Sequence, residues 1–220
     1  MVKSVRPPVP TGDALLRLEQ LSANTSSTTW YDISATGNNG TAADANMFSD
    51  FSFDGIVDEV VTASTEPSHD FNTPWTLTFW YKRDTSTVSG YSTIMQTRIA
   101  TGGWLLRDPS DPAKEDYDFG ITKPIFQPIY DTIKGDDANW HFAAITWTPG
   151  ATKVMRSYVD GVLYQTGNVT QAAVAGDVLQ IGKGNFYRFT GNMDTVRSYP
   201  RVLSVDEIVR DYYAGKASHP

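Results

Sequence analysis

Hydrolysis of a glycosidic bond with retention takes two carboxylates about 5 Å apart across the sugar, so the acidic clusters are weighed first. "KEDYDFG" brings Glu115, Asp116 and Asp118 together, and "VDEIVRDY" gathers Asp206, Glu207 and Asp211. The first falls in the proline-interrupted stretch from Arg107 to Asp137 and reads as loop; the second carries a helical period. Neither alternates along a strand in the way that aims several carboxylates at one cleft. Histidine adds little: His69 lies in a polar loop, His219 in the tail, and His141 follows Trp140 in a strand, where it reads as a satisfied structural side chain. No Ser/Asp partner pattern accompanies them, so a nucleophilic triad is not expected. Cysteine is absent, which removes thiol nucleophiles, disulfides and cysteine-ligated zinc together. The expectation is a protein without catalytic activity.

Recognition is the chemistry left. Sugars stack on exposed aromatic faces and hydrogen-bond to amides and carboxylates around them. Of the six tryptophans, Trp80, Trp140 and Trp147 fall in strands with apolar residues on both faces and read as core, while Trp30 and Trp75 begin strands. Trp104 follows "TGG" and either packs inward or caps a groove. Better placed for a surface are Tyr117, Phe119, Phe126 and Tyr130 on the stretch from Arg107 to Asp137. Phe186, Tyr187 and Arg188 join them, on a turn beside Gly182 and Gly184. Together with Trp104 these are the candidate ligand contacts. The alternative for each is an aromatic that anchors its own loop.

Strands must position them. In "WTLTFWYKRD", Leu77, Phe79 and Tyr81 face one way and Thr76, Thr78, Trp80 and Lys82 the other, the pattern of a central sandwich strand. "WHFAAITWT" from Trp140 to Thr148 behaves likewise, and "ALLRLEQL" from Ala14 to Leu21 reads as a further strand. Asp160-Gly161 in "RSYVDGVLYQTG" supplies the positive φ angles of a type I′ hairpin turn. Two strands, "DVLQIGKGN" and "YRFTGNMDTVRSY", follow, the second interrupted by Asp194. Near the end of the sequence Ser204 and Glu207 form a capping box, and Val205, Ile208, Val209 and Tyr212 make one apolar helix face that Gly215 can end.

Composition fits one large all-β domain: 220 residues with no second compositional regime and no internal repeat. The expected boundaries are an extended N-terminal arm over 1–12, a sandwich domain over 13–215 and a tail over 216–220. A net charge of −7, with its 18 basic residues scattered, argues against nucleic acid. No run of 18 apolar residues is present, so no membrane insertion is expected. "MVKSVRPPVP" has no apolar core of a secretory signal; its prolines suggest a stiff arm, weakly basic, that docks on a neighbouring subunit.

The order of motifs resembles laminin G-like domains of the concanavalin A-like lectin/glucanase superfamily. "TTWYDISATGNNGTA" is similar to their opening motif and "FSFDGIVDEVVTA" to their next strand pair. "WTLTFWYKR" is similar to their central strand, and "NWHFAAITW" with "SYVDGVLYQTG" to their tryptophan–His strand and hairpin. "LQIGKG" with "FTGNMDTVRSYPRVLSVDEIVRDYY" matches their closing segment. The resemblance covers about Leu15 to Tyr213. It implies a two-sheet antiparallel jelly-roll sandwich whose short C-terminal helix packs across the sandwich end. It also implies that calcium can sit between Asp32 and Asp194, with Asn38, Asn39 and Thr41 as further oxygen donors. Ala35 departs from the family's usual glycine. The glucanases of this fold carry Glu-x-Asp-x-x-Glu on one strand, which this chain lacks. The expected function is therefore surface recognition: first, a structural or decoration component of a larger particle such as a phage virion, contacting protein subunits. The alternative is a carbohydrate-binding or adhesion domain that contacts cell-surface glycans. Either places the protein on a virion or an extracellular surface.

Overall fold

The computed structural model describes residues 13–18, 29–42, 52–84, 92–97, 102–107, 117–121, 127–133, 137–169, 176–184 and 188–219. In chain order the strands are β1 (Leu16–Leu18), β2 (Thr29–Trp30), β3 (Gly40–Ala42), β4 (Ser52–Asp54) and β5 (Val60–Thr62). A 3-10 turn at Pro67–His69 leads to β6 (Trp75–Arg83), β7 (Thr93–Gln96), β8 (Trp104–Arg107), β9 (Tyr117–Ile121) and β10 (Gln127–Ile133). Then come β11 (His141–Thr148), β12 (Lys153–Val159), β13 (Val162–Val169), β14 (Gln180–Ile181), β15 (Thr190–Tyr199) and the helix α1 (Val205–Gly215). Sheet A has the order β1-β15-β6-β11-β12-β13, with β4 also on β15; sheet B has the order β10-β9-β8-β7-β14-β5-β3-β2. Every pairing is antiparallel, and the whole is the expected jelly-roll sandwich.

Alternation along β6 decides the layering. Trp75, Leu77, Phe79 and Tyr81 enter the core between the sheets, joined from sheet B by Trp104, Leu106, Tyr117 and Phe119. Each such side chain contributes ~1.5–3 kcal/mol by leaving water. The opposite face of β6 meets the helix. Trp80 joins Phe142, Tyr158, Tyr199, Leu203 and Ile208 in a second cluster under α1. The helix thus lies on the outer face of sheet A, not across the sandwich end. Its capping box is present, with Ser204 Oγ accepting from the Glu207 amide at 3.3 Å and Glu207 accepting from the Ser204 amide at 2.8 Å.

The α-helix ends at Gly215, but the glycine keeps right-handed helical angles and a 3-10 turn, Lys216–Ser218, continues from it. Its small size serves packing instead, since a Cβ there would come within 2.4 Å of Trp80 Nε1. Polar pairs fasten the helix: Arg197 and Thr78 both bond the Asp211 carboxylate, which is only 2% exposed, and Arg201 bridges Asp13 and Glu207. That guanidinium holds the Glu207 carboxyl down at about 2.

Two local readings hold and one is corrected. Asp160 and Gly161 have φ of 52° and 80°, as a type I′ turn requires. Asp194 marks a β-bulge in the β15–β6 pairing, with Thr195 at φ 53°. The stretch from Arg107 to Asp137, expected to be a loop, contains β9 and β10. Pro128 fits because β10 is the edge of sheet B, where a strand can lack one N–H. The arm over 1–12 lies outside the described residues.

Candidate functional site

At the end of the sandwich where β6 begins, three loops enclose a cleft of about 520 Å³. Leu15, Pro67, Pro74 and Pro200 give it apolar surface; Thr36, Asn38, Ser64, Thr65, Glu66, Asp70 and Thr73 give it polar groups. The loop residues are placed by a dense network. Asn38 clasps the Ser64 backbone in both directions: its Oδ1 accepts from the Ser64 N–H at 2.7 Å and its Nδ2 donates to the Ser64 carbonyl at 2.8 Å. The Ala63 N–H donates to the Asn39 carbonyl at 2.9 Å, closing the same two loops together. Glu66 caps the 3-10 turn, accepting from the Ser68 N–H and hydroxyl.

Under this wall lies an aromatic stack. Trp75 packs on Trp104 and Trp147 at centroid distances of 6.4 and 6.2 Å, and Trp104 on Phe119 at 5.4 Å. Two indole N–H groups reach up from it, Trp104 to the Ser68 carbonyl at 2.9 Å and Trp147 to the Phe71 carbonyl at 3.0 Å. A buried carbonyl that loses such a donor costs about 1–3 kcal/mol, so the wall from Ser68 to Phe71 is fixed to the core. Some bonding capacity stays unused. Asp70 Oδ1 accepts from the Asn72 N–H and side-chain amide, but Asp70 Oδ2, Ser64 Oγ and Thr65 Oγ1 make no hydrogen bond among the described residues. Two hydroxyls and a carboxylate oxygen beside apolar ring and methyl surface can bind a polyol whose faces carry C–H groups.

Three of the seven aromatic contacts expected from sequence lie in the core. Trp104, Tyr117 and Phe119 are each 0% exposed, so no sugar can stack on them; their place between the sheets makes them core. Arg188 is half-buried, in a bridge with Lys183. Phe126, Phe186 and Tyr187 lie outside the described residues, as does the Tyr130 side chain. The cleft residues were missed because they come from four separate segments of small polar and proline residues. A signal was nonetheless present in "STEPSHDFNTP", where prolines, hydroxyls and carboxylates crowd ahead of a strongly apolar strand.

The five residues expected around calcium do not form one set. Asp32 Oδ1 accepts from the Arg17 and Ser34 amides, and its Oδ2 from the Ser34 and Thr36 hydroxyls and the Asn38 amide. Burial pushes the Asp32 carboxyl up, but the bonds from Ser34, Arg17 and Thr36 outweigh it and hold it below its ordinary value. Five donors fill the lone-pair sites of one carboxylate, which leaves little for a cation. Asn38 and Asn39 are engaged as described, Asn39 Oδ1 also accepting from the Asp32 amide at 2.9 Å, and Thr41 is exposed on β3. Asp194 faces another partner, His219 Nε2, at 2.9 Å. The donor set therefore does not fit the ion, and among the described residues no group of three or more His, Asp or Glu side chains is placed to hold a metal.

His141 is structural, its two ring nitrogens bonded to Asp160 at 2.8 Å and Asp137 at 2.9 Å. The Asp160 bond raises its pKa; burial opposes this, and Asp137 adds to the rise.

Several solved structures with this architecture are receptor-binding or ligand-binding domains. The receptor binding domain of botulinum neurotoxin C/D mosaic serotype matches with a TM-score of 0.67 at 14% identity, over 92% of this chain and 51% of that one. The botulinum neurotoxin serotype D binding domain gives 0.69 at 15%, over 93% and 52%. The serotype D ligand binding domain, solved in complex with N-acetylneuraminic acid, gives 0.67 at 15%, over 93% and 51%. At such identities the likeness is one of fold, and the chain spans about half the length of these structures. No curated protein sequence matches it. The family described as the concanavalin A-like lectin/glucanases superfamily matches residues 54–209, more than half of the 220. The chain belongs to that superfamily, as the order of its motifs implied.

Proposed function

We propose that this domain is a non-catalytic recognition module and that its ligand is a glycan, bound in the cleft between the Asp32–Asn39 and Ser64–Pro74 loops. The observation that carries this is the bonding capacity that Asp70 Oδ2, Ser64 Oγ and Thr65 Oγ1 leave unused among the described residues, in a cleft whose wall is fixed by two indole N–H groups. A rigid site pays little ordering cost on binding. Support comes also from the fold likeness to receptor-binding domains, one of them solved with a bound sugar acid. That likeness favours glycan binding over the particle-component reading, for which no feature of the described residues speaks. Catalysis is not part of the proposal: Glu66 is 4% exposed and caps a turn through Ser68, a poor position for proton transfer to a leaving group.

The test is a broad glycan array followed by titration of the hits. Thr65→Trp, at an exposed position, fills the cleft and is expected to abolish binding while leaving Tm unchanged. Binding that survives this variant would move the site elsewhere. Saturable hydrolysis of any hit would end the non-catalytic reading.

A further inference from the structure

We infer that the cleft selects neutral or amine-bearing sugars and discriminates against sugars that carry a carboxylate. This rests on the cleft being the glycan site, and it concerns which class of glycan enters. The charge of the lining is one-sided. Among the described residues, Glu66 and Asp70 both line the cleft and no lysine or arginine does. The nearest chain segments do not reverse this. Arg201, the residue after Pro200, is taken by Asp13 and Glu207. The Asp32 carboxylate stands behind Thr36 and Asn38, bonded to both.

The free oxygen matters as much as the sign. Among the described residues Asp70 Oδ2 is an acceptor with no donor, so it suits a pair of sugar hydroxyls or an ammonium group, both of which give it hydrogens. A sugar carboxylate brings only acceptors. Placed here it would face a like charge with no lysine or arginine among the described lining residues to offset it, and like-charge juxtaposition is a strong device for rejecting a wrong ligand. The cleft would therefore exclude the sugar acid found in the serotype D structure, although the two domains share a fold.

The experiment compares matched glycans: N-acetyllactosamine with its sialylated form, and chitin with chitosan oligomers, each titrated at low and at moderate salt. The neutral member of the first pair is expected to bind at least about tenfold tighter than the sialylated one. Chitosan is expected to gain on chitin at low salt and to lose that gain as salt rises. Asp70→Asn keeps the Oδ1 acceptor that Asn72 uses, and it is expected to narrow both gaps with Tm unchanged. Equal or tighter binding of the sialylated form, abolished by Thr65→Trp, would overturn the charge selection while leaving the cleft as the site. Binding of no glycan of any class on the array would remove the site reading and this inference with it.

Discussion

Carboxylates under the helix and at the far end of β6 each meet a positive or ring N–H partner: Asp211 takes Arg197, Asp137 and Asp160 take His141, and Asp194 takes His219. About 10–20 Å back along β6, at ~3.3 Å per residue, the cleft is built differently. There Ser68 supplies hydrogen bonds to Glu66 and Asn72 to Asp70, and among the described residues no lysine or arginine lines the space and one Asp70 oxygen stays unbonded. Matched charges hold an element in place and leave nothing for a ligand. An acceptor without a donor, held on a fixed wall, is a place where a ligand completes the bonding. The proposed site is therefore marked by unfinished hydrogen bonding, and Trp75, Trp104 and Trp147 serve as the frame beneath.

The largest test of this contrast is Asp211→Ala. Removing one partner of a buried ion pair costs about 3–5 kcal/mol, and for a domain of this size each kcal/mol lowers Tm by about 2–4 °C. A fall of roughly 6–20 °C is expected by calorimetry, with glycan binding intact at temperatures below the transition. A drop under about 2 °C would mean that Arg197 and Thr78 find other partners.

Trp104→Phe probes the other region. It strips the donor from the Ser68 carbonyl, at about 1–3 kcal/mol, and frees the cleft wall. A moderate fall in Tm with clearly weaker binding is expected, whereas the Asp211 variant loses stability alone. If Trp104→Phe binds like the parent, the indole does not fix the wall.

Acidity gives a third, smaller effect. His141 has a folded pKa raised above its unfolded value near 6.5. Its stabilisation is therefore complete below about pH 6.5 and is lost as pH rises through the folded value. Tm should fall by a few degrees between about pH 6 and pH 9, and His141→Gln should flatten that slope. A flat profile in the parent protein would show that Asp137 and Asp160 do not hold the charged ring.

Calcium should have the smallest effect. With the oxygens of Asp32 occupied by five donors and Asp194 turned to His219, saturating calcium or chelator is expected to move Tm by less than about 1 °C. A rise of several degrees that Asp194→Ala abolishes would restore the ion between them.

The fold was legible wherever one chain segment carries its whole signal. The alternation of Trp75–Arg83, the Asp160-Gly161 turn and the Ser204–Glu207 box each depend on spacing within ten residues, and all three are present. β9 and β10 were hidden because an edge strand tolerates Pro128 and because Asp118, 1% exposed, sits within a strand. The cleft was illegible for another reason. Leu15, Asn38, Asp70 and Pro200 meet through long-range pairing, and apart from the crowding of prolines, hydroxyls and carboxylates around Asp70 nothing in their types or intervals marks a site before the sheets assemble. Trp104 misled because an indole reads the same whether its N–H seeks a ligand or, as here, the carbonyl of Ser68.

The place of β15 in sheet A has a consequence for how the chain comes to be folded. It is the last strand in the sequence, yet it lies between β1 and β6, and β4 also pairs with it. Asp13 and Arg201, 188 positions apart, meet across the finished sheet. Before Thr190–Tyr199 leaves the ribosome, β6 has β11 on one side and a bare row of N–H and C=O groups on the other. Such an edge invites pairing with strands of other chains. Sandwiches dominated by distant pairings close in milliseconds to seconds, while synthesis adds roughly 5–20 residues per second. The interval during which β6 waits for its neighbour is thus set by translation, and crowding of nascent chains in that interval favours aggregation over a native sheet.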